Sequence, residues 1–223
     1  MHSETSPQLM IRARGPLACF TRPELKVERV SYPVMTPSAA RGLLEAVLWK
    51  PAITWRIRAI HVLAPIVFRA FRRNELTRRA TLPARAVLDN GGPIEHFFAD
   101  IEDNRAQRNT VALRDVDYLI RAEFSLTDRA GLADNVAKFV DMFTRRVEKG
   151  QHFHQPYLGC REFAADILPP DDAPPPIPET RSFGLMLHDI EFGAKENRPV
   201  FFDARLEMGV LHVPSIPERE VAA

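Results

Sequence analysis

The 223-residue sequence predicts an α+β fold. Three observations carry the prediction. Apolar residues alternate with period two from Val116 to Leu126, and two other stretches, 37–48 and 132–147, repeat their apolar residues with a helical period. Over residues 8–168 the order is strand, helix, strand pair, helix, strand, which is the ferredoxin-like plan. A proline-rich stretch then leads into a small strand-rich lobe.

Each element has its own signal. Gln8 to Arg14 reads as a first strand, followed by a polar and basic loop. Thr36-Pro37-Ser38 is a helix start, because Thr36 can cap and Pro37 sits where its missing N–H costs nothing. Ala40, Leu44, Val47 and Leu48 mark the apolar face of that helix, and Arg41 and Glu45 pair at i,i+4 on another. Lys50-Pro51 closes it. Ile53, Trp55 and Ile57 alternate with Thr54, Arg56 and Arg58; the phase then switches to Ile60 and Val62, which predicts a bulge near Ala59. Residues 69–109 show little periodicity, many arginines and a Gly91-Gly92-Pro93 break, so they read as a partly extended insertion. Leu132, Val136, Phe139, Val140, Phe143 and Val147 form the apolar face of the second helix, with Lys138, Arg145 and Lys149 on its other side. Residues 158–168 return as a strand. Phe183–Phe192 and Val200–Val213 are strands with a turn at Met208-Gly209. The expected organisation is a first domain over 1–168, carrying the insertion at 69–109, then a linker over 169–178 and a small β lobe over 179–223.

Composition narrows the class. A hydrophobic share of 45% and a charged share of 26% belong to an ordinary folded chain. No apolar run reaches the roughly 18 residues that a membrane helix needs. The first residues lack a signal peptide's basic-then-apolar layout, and Cys19 and Cys160 do not suggest a disulfide framework, so the cytoplasm is the expected compartment. The net charge of +1 hides a division: residues 1–150 hold 24 Lys and Arg against 17 Asp and Glu, whereas residues 151–223 hold 6 against 12. Arginine supplies 25 of the 30 basic residues, and its planar fork suits phosphate contact and base stacking. A solvated basic surface explains the same charge without a partner.

Metal and cofactor motifs are scarce. His152 and His154 with Cys160 offer three candidate zinc ligands but no evident fourth, so no metal is expected. His61, His96, His188 and His212 do not cluster. There is no glycine-rich phosphate loop and no Ser-His-Asp order, and no cofactor is expected.

Three segments carry a family resemblance. The run Ala18 to Ile53, ACFTRPELKVERVSYPVMTPSAARGLLEAVLWKPAI, resembles the Cas-five family of type I-C CRISPR systems, as do Asn109 to Val116, NTVALRDV, and Gln155 to Phe163, QPYLGCREF. The similarity runs from about residue 8 to about residue 210. It implies a ferredoxin-like domain related to the RNA recognition module, with a small C-terminal sheet. It also implies a subunit at one end of a surveillance complex, holding the 5′ handle of the CRISPR RNA beside the backbone and large subunits. Target DNA would be met only within that complex, and no membrane is involved. The insertion resembles in position the family's thumb, which reaches the backbone subunit.

The same resemblance implies a metal-independent endoribonuclease that cuts the repeat transcript. Such a reaction needs a base for the 2′-hydroxyl, a cation for the scissile phosphate and an acid for the leaving oxygen. Family members commonly carry Tyr or His just before Trp-Lys-Pro, and a Lys-His pair in the second long helix. Here the matching positions are Leu48, Lys138 and Phe139, so only Lys138 keeps its type. Candidate RNA contacts are Arg22, Lys26 and Arg29 in the loop after the first strand, Arg41 and Lys50 on the first helix, Arg72 and Arg73 in the insertion, and Arg145. Phe20, Tyr32 and Trp49 are candidate stacking platforms, with a core role as the alternative for each. Two readings follow: a binding and assembly subunit, or an enzyme that cuts with Lys138 helped by His152 or His154.

Overall fold

The structure, a computed structural model, describes residues 4–25, 27–77, 85–91, 105–192 and 197–215. In chain order its elements are β1 (Leu9–Ala18), β2 (Arg29–Val30), α1 (Pro37–Val47), β3 (Ile53–Val62), β4 (Phe68–Leu76), α2 (Arg85–Asp89), β5 (Arg105–Leu126), α3 (Val136–Glu148), β6 (Asp166–Leu168), β7 (Arg181–Phe192), β8 (Asn197–Glu207) and β9 (Val210–His212). They form a mostly antiparallel sheet in the order β6-β1-β5-β3-β9-β8-β7, with β2 and β4 also bonded to β5. Because β9 pairs with β3, the C-terminal strands share one hydrogen-bonded sheet with the first ones.

β5 organises the molecule. From Leu113 to Ala122 it pairs with β1, and from Tyr118 to Leu126 with β3. Its alternating Val116, Tyr118, Ile120, Ala122 and Phe124 are all buried, as the period-two pattern requires. They share a face with Ile11 and Ala13 of β1 and with Trp55, Ile57, Ile60 and Val62 of β3. α1 covers that face with Leu43, Leu44 and Val47, and α3 with Phe139, Phe143 and Val147. Each such side chain contributes roughly 1.5–3 kcal/mol by leaving water. The Thr36 hydroxyl accepts the Ala39 N–H at 3.3 Å, and Asn135 caps α3 by accepting the Lys138 N–H at 2.9 Å. The bulge expected near Ala59 appears as a register shift between Ile57 and Ala59.

Other expectations change. The insertion is not merely extended: β4 pairs with Arg105–Leu113 of β5, residue for residue, in a two-stranded ribbon. Periodicity failed there because no residue of β4 is fully buried and its partly covered positions, Phe71, Arg73 and Glu75, are mostly charged. Asp115, at a φ of +51°, lies between the ribbon half of β5 and its core half. Residues 78–84 and 92–104 of the insertion lie outside the described residues. Leu132 is fully exposed and lies outside α3, whose start is set by the Asn135 cap. Of 158–168, only Asp166–Leu168 is a strand. The rest turns at Gly159, whose φ of +82° accompanies the bond from the Cys19 N–H to the Leu158 carbonyl at 3.0 Å. The turn between β8 and β9 falls at Met208 and Gly209 as expected, with φ values of +48° and +76°. No described helix is long and apolar enough to cross a membrane.

Candidate functional site

The C-terminal end of α1 meets α3 and the loop after it. The Leu48 N–H still bonds the Leu44 carbonyl at 2.8 Å, but the Leu48 backbone is already extended. That change of direction buries Leu48 completely and turns the next residue, Trp49, toward solvent. The last carbonyls of a helix lack intrahelical partners. Here Ala46 accepts from the Phe153 and His154 N–H groups at 2.7 and 3.4 Å, and Val47 accepts from the Arg146 guanidinium at 2.6 Å. These bonds hold the loop Gln151–Gln155 beside Trp49.

An aromatic ledge results. The rings of Trp49 and Phe153 stack with centroids 6.5 Å apart at 29°, and His154 meets Phe153 edge-on at 5.9 Å. Beside the ledge is a cavity of about 400 Å³ lined by His154, Gln155, Tyr157 and Arg161. Lys50 follows Trp49 and acts electrostatically on Asp134, which also binds the Lys138 ammonium at 2.8 Å. Asp134 is held below the usual carboxylate range by the Lys138 bond first, then by the Gly131 N–H and the field of Lys50. Trp49 thus lies with Phe153 beside the C-terminal end of α3, whereas Lys138 lies in its first turn, within the electrostatic reach of Asp134 and Lys50. Phe153 was missed in the sequence, although its signal was there: an aromatic between two histidines in a polar loop belongs to no apolar period.

The two positions that resemble catalytic ones are interior. Phe139 is 2% exposed, with its ring edge-on to Phe124 at 6.2 Å, and the Leu48 carbonyl accepts the Trp55 indole N–H at 3.1 Å. Neither side chain offers a proton or an acceptor to a substrate.

Several expected RNA contacts are engaged within the chain. Phe20 and Tyr32 are corrected from platforms to core: Phe20 packs edge-on against Tyr118, and the Arg22 guanidinium lies 4.8 Å over the Tyr32 ring. Arg41 is held between Glu45 at 2.9 Å and Asp189 at 2.7 Å, so its charge is met in place. Arg29 binds Glu162 at 2.8 Å and Glu75 at 3.3 Å; Arg73 binds Glu75 at 2.6 Å and also Glu162. This network ties β2 and the ribbon to the turn after Gly159. Burial opposes the charge on Glu162, but Arg73 and Arg29 outweigh it and lower its pKa. Arg72 and Arg145 are exposed. Lys26 lies outside the described residues. Cys19 and Cys160 are both free and buried, with the Cys160 sulfur 3.5 Å from the Cys19 carbonyl oxygen. Among the described residues no three His, Cys, Asp or Glu side chains are grouped to hold a metal ion.

A mostly antiparallel sheet backed by two helices, with a ribbon growing from its central strand, is a fold found among CRISPR-associated proteins. One solved structure of a CRISPR-associated protein matches with a TM-score of 0.70 at 21% identity, covering 99% of this chain and 98% of that one. A functionally uncharacterized protein from Streptococcus mutans matches with a TM-score of 0.69 at 20% identity, covering 99% and 98%. The family is specific: the model of the CRISPR-associated Cas5 proteins, Cas5d type, matches residues 8–214, and the chain belongs to that family. Its place is in type I-C CRISPR defence. Among its relatives are the CRISPR pre-crRNA endoribonuclease Cas5d of Mannheimia succiniciproducens, 46% identical over 93% of this chain and 95% of the relative, and that of Thermus thermophilus, 40% identical over 96% and 94%.

Proposed function

We propose that this chain grips the 5′ handle of CRISPR RNA and caps the backbone of a type I-C surveillance complex in the cytoplasm, as a binding subunit with slow or absent cleavage. One observation carries the binding-only part: Leu48 and Phe139, where the resemblance puts a base and an acid, are sealed in the core. Each missing group removes a contribution of about 10²–10⁴-fold in rate. The strand order β6-β1-β5-β3, with α1 and α3 as its crossovers, supports a ferredoxin-like, RNA-recognition-module-like domain over 1–168. The β4–β5 ribbon is then the thumb that meets the backbone subunit, 169–178 the linker and 179–223 the small β lobe, with the large subunit as a further neighbour of the chain. Target DNA is met only within the assembled complex.

A second reading is favoured by the name its relatives carry and by His154 on the ledge. In it the chain still cuts repeat RNA, with Lys138 neutralising the phosphate and His152 or His154 moving the proton. Incubating the protein with its own repeat RNA in EDTA separates the two. The expected result is salt-sensitive binding of intact RNA. Rapid cutting that His152→Ala or His154→Ala abolishes would replace the binding reading with the catalytic one.

A further inference from the structure

Core packing does not account for the Trp49 and Phe153 side chains. They are 52% and 66% exposed, and neither belongs to the buried core. An isolated apolar side chain at a surface needs no explanation, but two large rings stacked on one another make a patch. The patch is also fixed in place. Main-chain bonds from Phe153 and His154 to the Ala46 carbonyl, and the Arg146 clamp on Val47, hold it against the end of α1. The two rings meet at 29°, and half or more of each residue stays open to solvent.

The surroundings indicate what fits those rings. Lys50 adjoins Trp49, and the cavity next to His154 presents Arg161, Gln155 and Tyr157. The neighbouring acids are already committed, Glu162 to Arg29 and Arg73, and Asp134 to Lys138. A flat π surface rimmed by cations, imidazole and amide is suited to an unstacked base whose phosphate meets a guanidinium or ammonium. Protein interfaces also gather aromatic side chains and arginine within a polar rim, so joining the backbone subunit is one arm of the test.

We infer that Trp49 and Phe153, with His154 and Arg161 at the rim, form a stacking subsite for one unpaired nucleotide of the bound RNA. The inference rests on the RNA-binding reading and adds to it a base-holding position at the end of α1.

The chain supplies its own probe. It has two tryptophans, and the other, Trp55, is 3% exposed in the core. Titration with the repeat RNA should therefore quench tryptophan emission through Trp49 alone, and Trp49→Phe should abolish the quench while keeping most of the affinity. Trp49→Ala combined with Phe153→Ala should weaken binding about 10-fold or more, a typical loss for removed base–aromatic stacking. The slope of affinity against salt should stay unchanged, because the phosphate contacts remain. Unaltered urea midpoints show that the variants stay folded. RNA bound tightly with no quench, and equally tightly by the double variant, overturns the subsite and leaves the RNA-binding reading intact. Failure of the wild-type chain to bind RNA overturns both. Normal RNA binding by a double variant that no longer joins the backbone subunit also overturns the subsite, by making the ledge a protein interface.

Discussion

Replacing Phe139 by histidine tests the claim that this position is structural. Phe139 closes an aromatic cluster in which Trp55 lies 5.2 Å from Phe124 and 4.9 Å from Phe143. The substitution loses the edge-on contact with Phe124, worth about 0.5–1.5 kcal/mol. It also buries an imidazole with no partner, at roughly 1–3 kcal/mol. Together these predict a loss of about 2–4 kcal/mol, read as a lower urea midpoint at unchanged slope. The pH dependence follows from the same burial. A buried imidazole keeps its neutral form, so its folded pKa falls below the unfolded value of about 6.5 and the unfolded chain binds more protons. The penalty should therefore be larger at pH 5 than at pH 8. The variant should show no gain in repeat cleavage in EDTA. A variant as stable as the parent at both pH values, and newly able to cut RNA, would show that the side chain reaches the substrate and that the core assignment fails.

Two further outcomes follow from the packing. At Gly159 an added Cβ would lie 2.7 Å from the Cys19 carbonyl carbon, and the φ of +82° already disfavours any side chain; Gly159→Ala should cost about 3 kcal/mol or more, and a urea midpoint near the parent's would refute the close crossing. Glu162→Gln should lower stability at pH 7 by under about 1 kcal/mol, since the carboxylate is 40% exposed and screened. Because the folded pKa of Glu162 is depressed, that difference should be complete above the ordinary carboxylate value and fade as pH falls through the lowered one; a pH-independent difference in thermal midpoint would mean the ion pairs contribute nothing.

The strands and helices that face the core were legible, because burial on one side writes a period into the sequence. Val116 to Phe124 and Phe139 to Val147 are such cases, as are the Thr36 cap and the phase change at Ala59, each a local rule with a local cause. The ribbon was not legible as paired strands, since the partly covered face of β4 carries Arg73 and Glu75 beside Phe71, so its alternation is not one of apolar residues.

At the site, the sequence alone determined that residues 48 and 139 carry no titratable group, and that Trp49, Lys50 and Lys138 have suitable chemistry. Tertiary structure decided which of the candidates are available. It placed Phe20 and Tyr32 inside, set Arg29, Arg41 and Arg73 against carboxylates more than thirty positions away in most cases, and brought Phe153 onto Trp49 across about a hundred residues. Period and spacing record only which side of an element meets water. The partner of a charge or a ring is set by where the sheet and helices bring distant segments together, and no local pattern encodes that distance.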